Sequence, residues 1–277
     1  MAHTTHFVRT DDGLALYKEG WLPSDPKAIV LLLHGYGEHS GRYGHVVQRL
    51  KEQGLAVHSF DQRGHGRSEG ERANIRDFGE LIGDANEVFS RVRLQHGGMR
   101  CFVLGHSVGA VVALKLAIER PRHVSGLIVT APYVRNAVSA PWPAETILRM
   151  LSAIAPALPV VRLPVRQLSR DPAVVRAYEE DPLVYHGLVK ARMAAQLLVA
   201  GRCALERAAA LSAPMLILHG GEDQIASVTG ARELHEAAGS ADKTLKIYPR
   251  LYHEVLNEPE RRDVLADILG WLEARLG

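Results

Sequence analysis

Short apolar runs and longer amphipathic stretches alternate along the 277 residues. Residues 28–33, Ala-Ile-Val-Leu-Leu-Leu, form a continuous apolar run of the kind expected of a strand covered on both faces. Residues 55–60, 101–104, 126–131, 214–219 and 244–248 read as further strands, and two short extended pieces around 7–9 and 14–17, separated by Asp11, Asp12 and Gly13, read as a hairpin. Helical spacing covers about 42–53 and 76–96, where Phe78, Leu81, Ile82, Ala85, Val88, Phe89 and Val92 share a face, then the stretch after Ser107 as far as Pro121, and later about 228–238 and 258–275. Strands alternating with helices predict an α/β chain with a mostly parallel sheet and helices on both faces.

The rhythm breaks from about Pro132 to Cys203. No strand is expected there except around Val160 and Val161, and prolines at 141, 143, 156, 159, 164, 172 and 182 chop the segment into short helices. This marks an insertion, residues 132–205, between a first part of the core, 1–131, and a second, 206–277. Within it, residues 136–161 carry only two charges, Glu145 and Arg149, among Val138, Trp142, Ile147, Leu148, Met150, Leu151, Ile154, Leu158, Val160 and Val161.

Composition narrows the class. Hydrophobic content of 47% and charged content of 23% are those of a globular protein, and 33 basic against 31 acidic side chains leave +2, which gives no footprint for nucleic acid. No basic-then-apolar segment opens the chain and no eighteen-residue apolar stretch occurs, so neither a signal peptide nor a membrane span is expected. Cys101 and Cys203 lack a metal-ligand spacing and read as buried structural thiols. A reduced, cytoplasmic enzyme fits these features.

Candidate chemistry centres on residues 101–119. An apolar stretch runs into Gly105, His106, Ser107, Val108 and Gly109 and then into Val111, Val112, Leu114, Leu116, Ala117 and Ile118, so strand, tight turn and helix follow in the order of a nucleophile elbow. Glycines at 105 and 109 let strand and helix approach closely around a strained serine. Ser107 is the candidate nucleophile. A serine hydroxyl needs a base, an orienting carboxylate and donors for the developing oxyanion. Ligands gather at the carboxyl ends of parallel strands; Asp223 lies just past one such end and His253 in the loop past the next, in the Ser, acid, His order of an α/β-hydrolase. Glu222 is a rival acid, but a neighbouring position points its side chain elsewhere. The glycine-rich loop 34–43 offers the Tyr36 amide as one oxyanion donor, with Val108 supplying the other; the alternative is an ordinary turn. His65 reads as a structural hydrogen-bonding residue. Glu38 and Arg42, four apart, are expected to pair, since a bare carboxylate near the oxyanion loop would oppose the charge forming there.

Residues 34–43 (HGYGEHSGRY), 64–72 (GHGRSEGER), 105–109 (GHSVG), 169–172 (SRDP), 181–183 (DPL), 242–248 (DKTLKIY) and 252–258 (YHEVLNE) together resemble the monoacylglycerol lipases of the α/β-hydrolase fold, bacterial members above all. The resemblance implies hydrolysis of a monoglyceride or similar acyl ester without cofactor or metal, beneath a helical cap that touches lipid. It implies Ser107, Asp223 and His253 as the catalytic triad and Tyr36 and Val108 as oxyanion donors, with Glu38, Arg42, His106 and Tyr178 shaping the polar end that receives glycerol. Two positions depart from the family pattern: Val108-Gly109-Ala110 stands for Met-Gly-Gly, and Leu256 stands where mammalian members carry a histidine near the glycerol end. A broader esterase, lysophospholipase or thioesterase uses the same triad, and a silent binding module uses the same fold. The apolar segment 136–161 is expected to form an outer lip resting transiently on a membrane or micelle, or to pack as core; exposing it favours closure or self-association into a homo-oligomer.

Overall fold

The apolar runs become the interior of an eight-stranded sheet in a computed structural model that describes residues 2–137 and 143–276. Strands β1 (Ala2–Arg9), β2 (Ala15–Leu22), β3 (Ala28–Leu33), β4 (Leu55–Phe60), β5 (Cys101–His106), β6 (Gly126–Thr130), β9 (Met215–Gly220) and β10 (Lys243–Tyr248) lie in the order β1-β2-β4-β3-β5-β6-β9-β10. The pairs β1·β2 and β2·β4 are antiparallel and the others parallel. The hairpin strands are longer than the short pieces read from the sequence, because eight cross-strand pairs extend the ladder as far as Ala2 and Leu22.

Alternation within β3 explains its unbroken apolar run. Ile29, Leu31 and Leu33 enter the core cluster on one face of the sheet, while Ala28, Val30 and Leu32 enter the cluster on the other. The first face is covered by helices α2 (Phe78–Gln95), α3 (Val108–Glu119) and α7 (Val228–Ala237), the second by α1 (Gly44–Glu52) and α8 (Arg261–Glu273). Helix α3 buries ten of its twelve residues, as a helix that is apolar all round must.

Between β6 and β9 the chain leaves the sheet. It forms α4 (Ala144–Ile154), β7 (Pro159–Val161), α5 (Pro172–Glu180), β8 (Val189–Lys190) and α6 (Ala191–Glu206). Two features differ from expectation. The extended pair at Val160 and Val161 finds a partner in β8, two residues too short to leave a periodic trace. Helix α6 runs sixteen residues because no proline falls between 183 and 213. Val138 and Trp142 of the expected lip lie outside the described residues. Both cysteines are free; Cys101 is buried, but Cys203 is only partly so.

Among the described residues no helix is long and apolar enough to cross a membrane.

Candidate active site

Ser107 sits between β5 and α3 with φ +52° and ψ −112°, a backbone conformation unfavourable for a residue with a side chain. The surrounding glycines are sterically required. A β-carbon on Gly105 would stand 2.4 Å from the Gly109 carbonyl oxygen, and one on Gly109 would stand 2.3 Å from that of Leu33 in the adjacent strand. The turn is therefore wedged against two strands, and its amide donates to the Thr130 carbonyl of a third element, β6, at 2.9 Å.

The register of β5, β6, β9 and β10 brings their carboxyl ends together. His253, in the loop after β10, places Nε2 2.9 Å from Ser107 Oγ and Nδ1 2.8 Å from Asp223 Oδ2. A carboxylate only accepts, so Nδ1 carries the proton and Nε2 is left to accept from the serine hydroxyl. Asp223 Oδ1 accepts the amides of Ile225 at 2.8 Å and Ala226 at 3.0 Å. Burial opposes its charge, yet His253 and His219 reverse this and hold the Asp223 carboxyl well below the usual range. His253 shows the complementary balance: burial lowers its pKa, but the Asp223 carboxylate, with Glu254 and Glu38 farther off, lifts it above the ordinary imidazole value. Glu222 is exposed.

Tyr36 and Val108 line the space in front of Ser107. Val108 is the first residue of α3, where main-chain N–H groups have no helical acceptor and the helix dipole favours negative charge. The loop carrying Tyr36 is fixed by Glu38, whose Oε1 accepts the Gly35 amide and the Tyr43 hydroxyl, each at 2.6 Å. Glu38 Oε2 pairs with Arg42 at 2.6 Å. Burial raises the Glu38 pKa, but Arg42 first, then His106, His34 and Tyr43, bring it down to about 2.

Arg42 holds a second carboxylate that sequence reading missed. It is bidentate to Glu254 at 2.7 and 2.8 Å, although the two residues are 212 apart in the chain. The only signal was the position of Glu254 beside His253. Glu38, Glu254, His106 and Tyr178 line the cavity; Arg42 lies behind the two carboxylates, its guanidinium 4.8 Å from the Tyr178 ring centroid. His106 is held by Thr130 Oγ1 at 3.0 Å, and burial, with His253 beside it, pushes its pKa down to about 4. Leu256 is not at this end: its side chain is buried in the core cluster that α1 and α8 cover. His65 is buried, with Nδ1 2.9 Å from the Arg63 carbonyl.

From this polar end a cavity of about 610 Å³ runs beneath the 144–198 segment, walled by apolar side chains such as Leu148, Val161, Leu163, Leu197 and Ile225. That size is ordinary for a small-molecule site. Among the described residues no cluster of His, Cys, Asp and Glu could hold a metal ion.

The family model described as "Serine aminopeptidase, S33" matches residues 24–260. A monoacylglycerol lipase of Mycolicibacterium smegmatis is 40% identical over 266 residues, covering 95% of each chain. A monoglyceride lipase of Rattus norvegicus is 36% identical over 275 residues, covering 98% of this chain and 90% of its own. The crystal structure of a Paleococcus ferrophilus monoacylglycerol lipase superposes with a TM-score of 0.85 at 30% identity, covering 94% of this chain and 99% of that one.

Proposed function

The chain belongs to the S33 family of serine hydrolases and, among them, to the monoacylglycerol lipases, and from this we propose that it cleaves monoacylglycerol to fatty acid and glycerol through an acyl-serine intermediate on Ser107. One observation carries the reading: the Ser107–His253–Asp223 hydrogen-bonded chain opens at the junction of a polar pocket and an apolar cavity. His253 takes the serine proton as Oγ attacks the ester carbonyl, and returns it to the leaving glycerol oxygen. Water, deprotonated by the same imidazole, then releases the fatty acid. Asp223 holds the ring and stabilises the imidazolium. The amides of Tyr36 and Val108 receive the oxyanion.

In this reading 132–205 is a cap inserted between core parts 1–131 and 206–277, and it covers the acyl chain. Glu38, His106 and Tyr178 face the glycerol, with Arg42 acting through Glu38 and Glu254. The cap also meets the lipid surface that presents the substrate. Ile147, Met150 and Ile154 of α4 are 51, 58 and 80% exposed and Leu158 is exposed as well, while Leu148, Val160 and Val161 line the cavity. Self-association would cover the same patch. Two free cysteines suit a reducing compartment such as the cytoplasm.

The family description includes peptidases. An aminopeptidase must bind an ammonium group, whereas the buried carboxylates beside Ser107, Glu38 and Glu254, are both occupied by Arg42. Hydrolysis should be measured on monoglyceride, diglyceride, lysophospholipid, acyl thioester and aminoacyl amide, with Ser107→Ala and fluorophosphonate labelling alongside. Monoglyceride should be turned over best and Ser107→Ala should lose both turnover and label. Preference for the aminoacyl amide, or label persisting in Ser107→Ala, would overturn the reading; a preference for lysophospholipid or thioester would move the substrate but keep the mechanism.

A further inference from the structure

His219 is the penultimate residue of β9, fully buried, four residues before Asp223. Its Nε2 stands 3.1 Å from the Ala226 carbonyl oxygen and 3.1 Å from Asp223 Oδ2, a site with no exposure for either side chain. Both neighbours are acceptors, so Nε2 must carry a proton. Nδ1 meets no hydrogen-bond partner among the described residues. The N–H bonds the Ala226 carbonyl, and its positive end also faces the carboxylate oxygen to which His253 donates.

The rest of the Asp223 site shows why this matters. Oδ1 is pinned by the amides of Ile225 and Ala226, but among the described residues Oδ2 has only His253 and His219. The amide bonds to Oδ1 restrain the carboxylate from one side only; His219 adds a restraint at Oδ2, the oxygen that orients His253, and, through the Ala226 carbonyl, ties the 223–226 turn to the rigid strand below it.

We propose that His219 is a positioning residue for the reaction: it fixes the turn that carries Asp223 and the rotation of its carboxylate, and so the orientation of the His253 ring. The proposal rests on the triad reading above. His219 does not line the cavity; it acts through Asp223.

The test is the pH dependence of kcat/KM on a short soluble ester, with thermal unfolding measured in parallel. His253 must be neutral to accept the serine proton, so activity rises with pH through its pKa. The charged and titratable groups facing His253 are Asp223, Glu254, Glu38 and the ring of His106, with Arg42 behind the two glutamates. His219→Leu keeps bulk but removes the donor. It should lower kcat by about 10- to 100-fold at nearly constant KM, the effect expected of a small misplacement at a reacting group. Its acid limb should move to lower pH, because an imidazolium whose partner carboxylate swings away is less stabilised.

Gln places its amide nitrogen as many bonds from the backbone as Nε2, so His219→Gln should recover most of kcat and the parental acid limb. His219→Asn falls one bond short and should behave like the leucine variant, which carries the test if His219→Leu does not fold. The proposal falls if kcat drops only in proportion to folded fraction with the acid limb unmoved, if the limb moves up, or if Gln does no better than Asn. Ser107→Ala run alongside separates the layers: if it stays active, the triad reading itself is wrong. If it is inactive while His219→Leu retains parental kcat and acid limb, only this inference is wrong.

Discussion

Arg42 stands between two carboxylates, Glu38 and Glu254, that are each almost fully buried. Removing one member of such a cluster leaves uncompensated charge and costs about 3 to 5 kcal/mol. Arg42→Met is therefore expected to be destabilised by that order in urea at pH 7. Glu38 titrates at about 2 in the folded protein against an ordinary 4.5, so its ionised form contributes stability that is complete above pH 4.5 and lost as pH falls toward 2. The Arg42→Met deficit should accordingly shrink between pH 7 and pH 3; urea midpoints and slopes at the two pH values check this. If monoglyceride and simple methyl ester turnover fall equally in the variant, Arg42 fixes the loop and does not recognise glycerol.

At the scale of elements, α4 is the least anchored helix. It buries no residue, and its hydrophobic positions divide between two faces: Leu148 and Leu151 turn inward, whereas Ile147, Met150 and Ile154 turn out. Positions 147, 148, 151 and 154 therefore do not share one packing face. Moving an isoleucine side chain from water to an apolar phase is worth about 1.5 to 3 kcal/mol when burial is complete. Ile147→Ser combined with Ile154→Ser should thus weaken vesicle binding by roughly one to two orders of magnitude. Long-chain monoglyceride turnover on vesicles should fall with it, while short soluble esters and the melting temperature stay near those of the parent. Vesicle sedimentation and two-substrate kinetics measure this, and loss of both activities in step with melting temperature would make the face structural.

Across the whole molecule, the segment between β6 and β9 is tied down unevenly. Its second half is stitched to the core: Tyr185 N donates to the Gly37 carbonyl at 2.7 Å, Glu254 N to that of Leu168 at 2.8 Å, and Arg72 to that of Leu183 at 2.8 Å. His39 meets Asp181 at 2.9 Å and Arg170 meets Glu258 at 3.0 Å. By contrast, the side-chain polar ties of α4 to the rest of the described residues come down to Glu145 with Arg202 on α6. Segments with few buried contacts open locally at little free-energy cost. Native-state hydrogen exchange should therefore find α4 amides exchanging faster than those of α6 or α5, and a lipid surface should slow α4 selectively. Equal protection of α4 and α6 would mean that this segment moves as one body.

Local pattern was enough for the parallel α/β layout, the strand, turn and helix around Ser107, the break in rhythm after β6 and the i,i+4 pair of Glu38 and Arg42, because each depends on residues adjacent in the chain or on a period the backbone imposes. The chain order of Ser107, Asp223 and His253 was legible for the same reason, since strand ends converge in any parallel sheet. The partnership of Arg42 with Glu254, the β7·β8 pair, the inward burial of Leu256 and the contact of His219 with Asp223 were decided only by tertiary structure. The first three join residues distant in sequence or depend on which side of a loop meets the core. His219 is only four residues from Asp223, yet its meaning depends on where the strand ends and the turn folds back, which no spacing rule encodes.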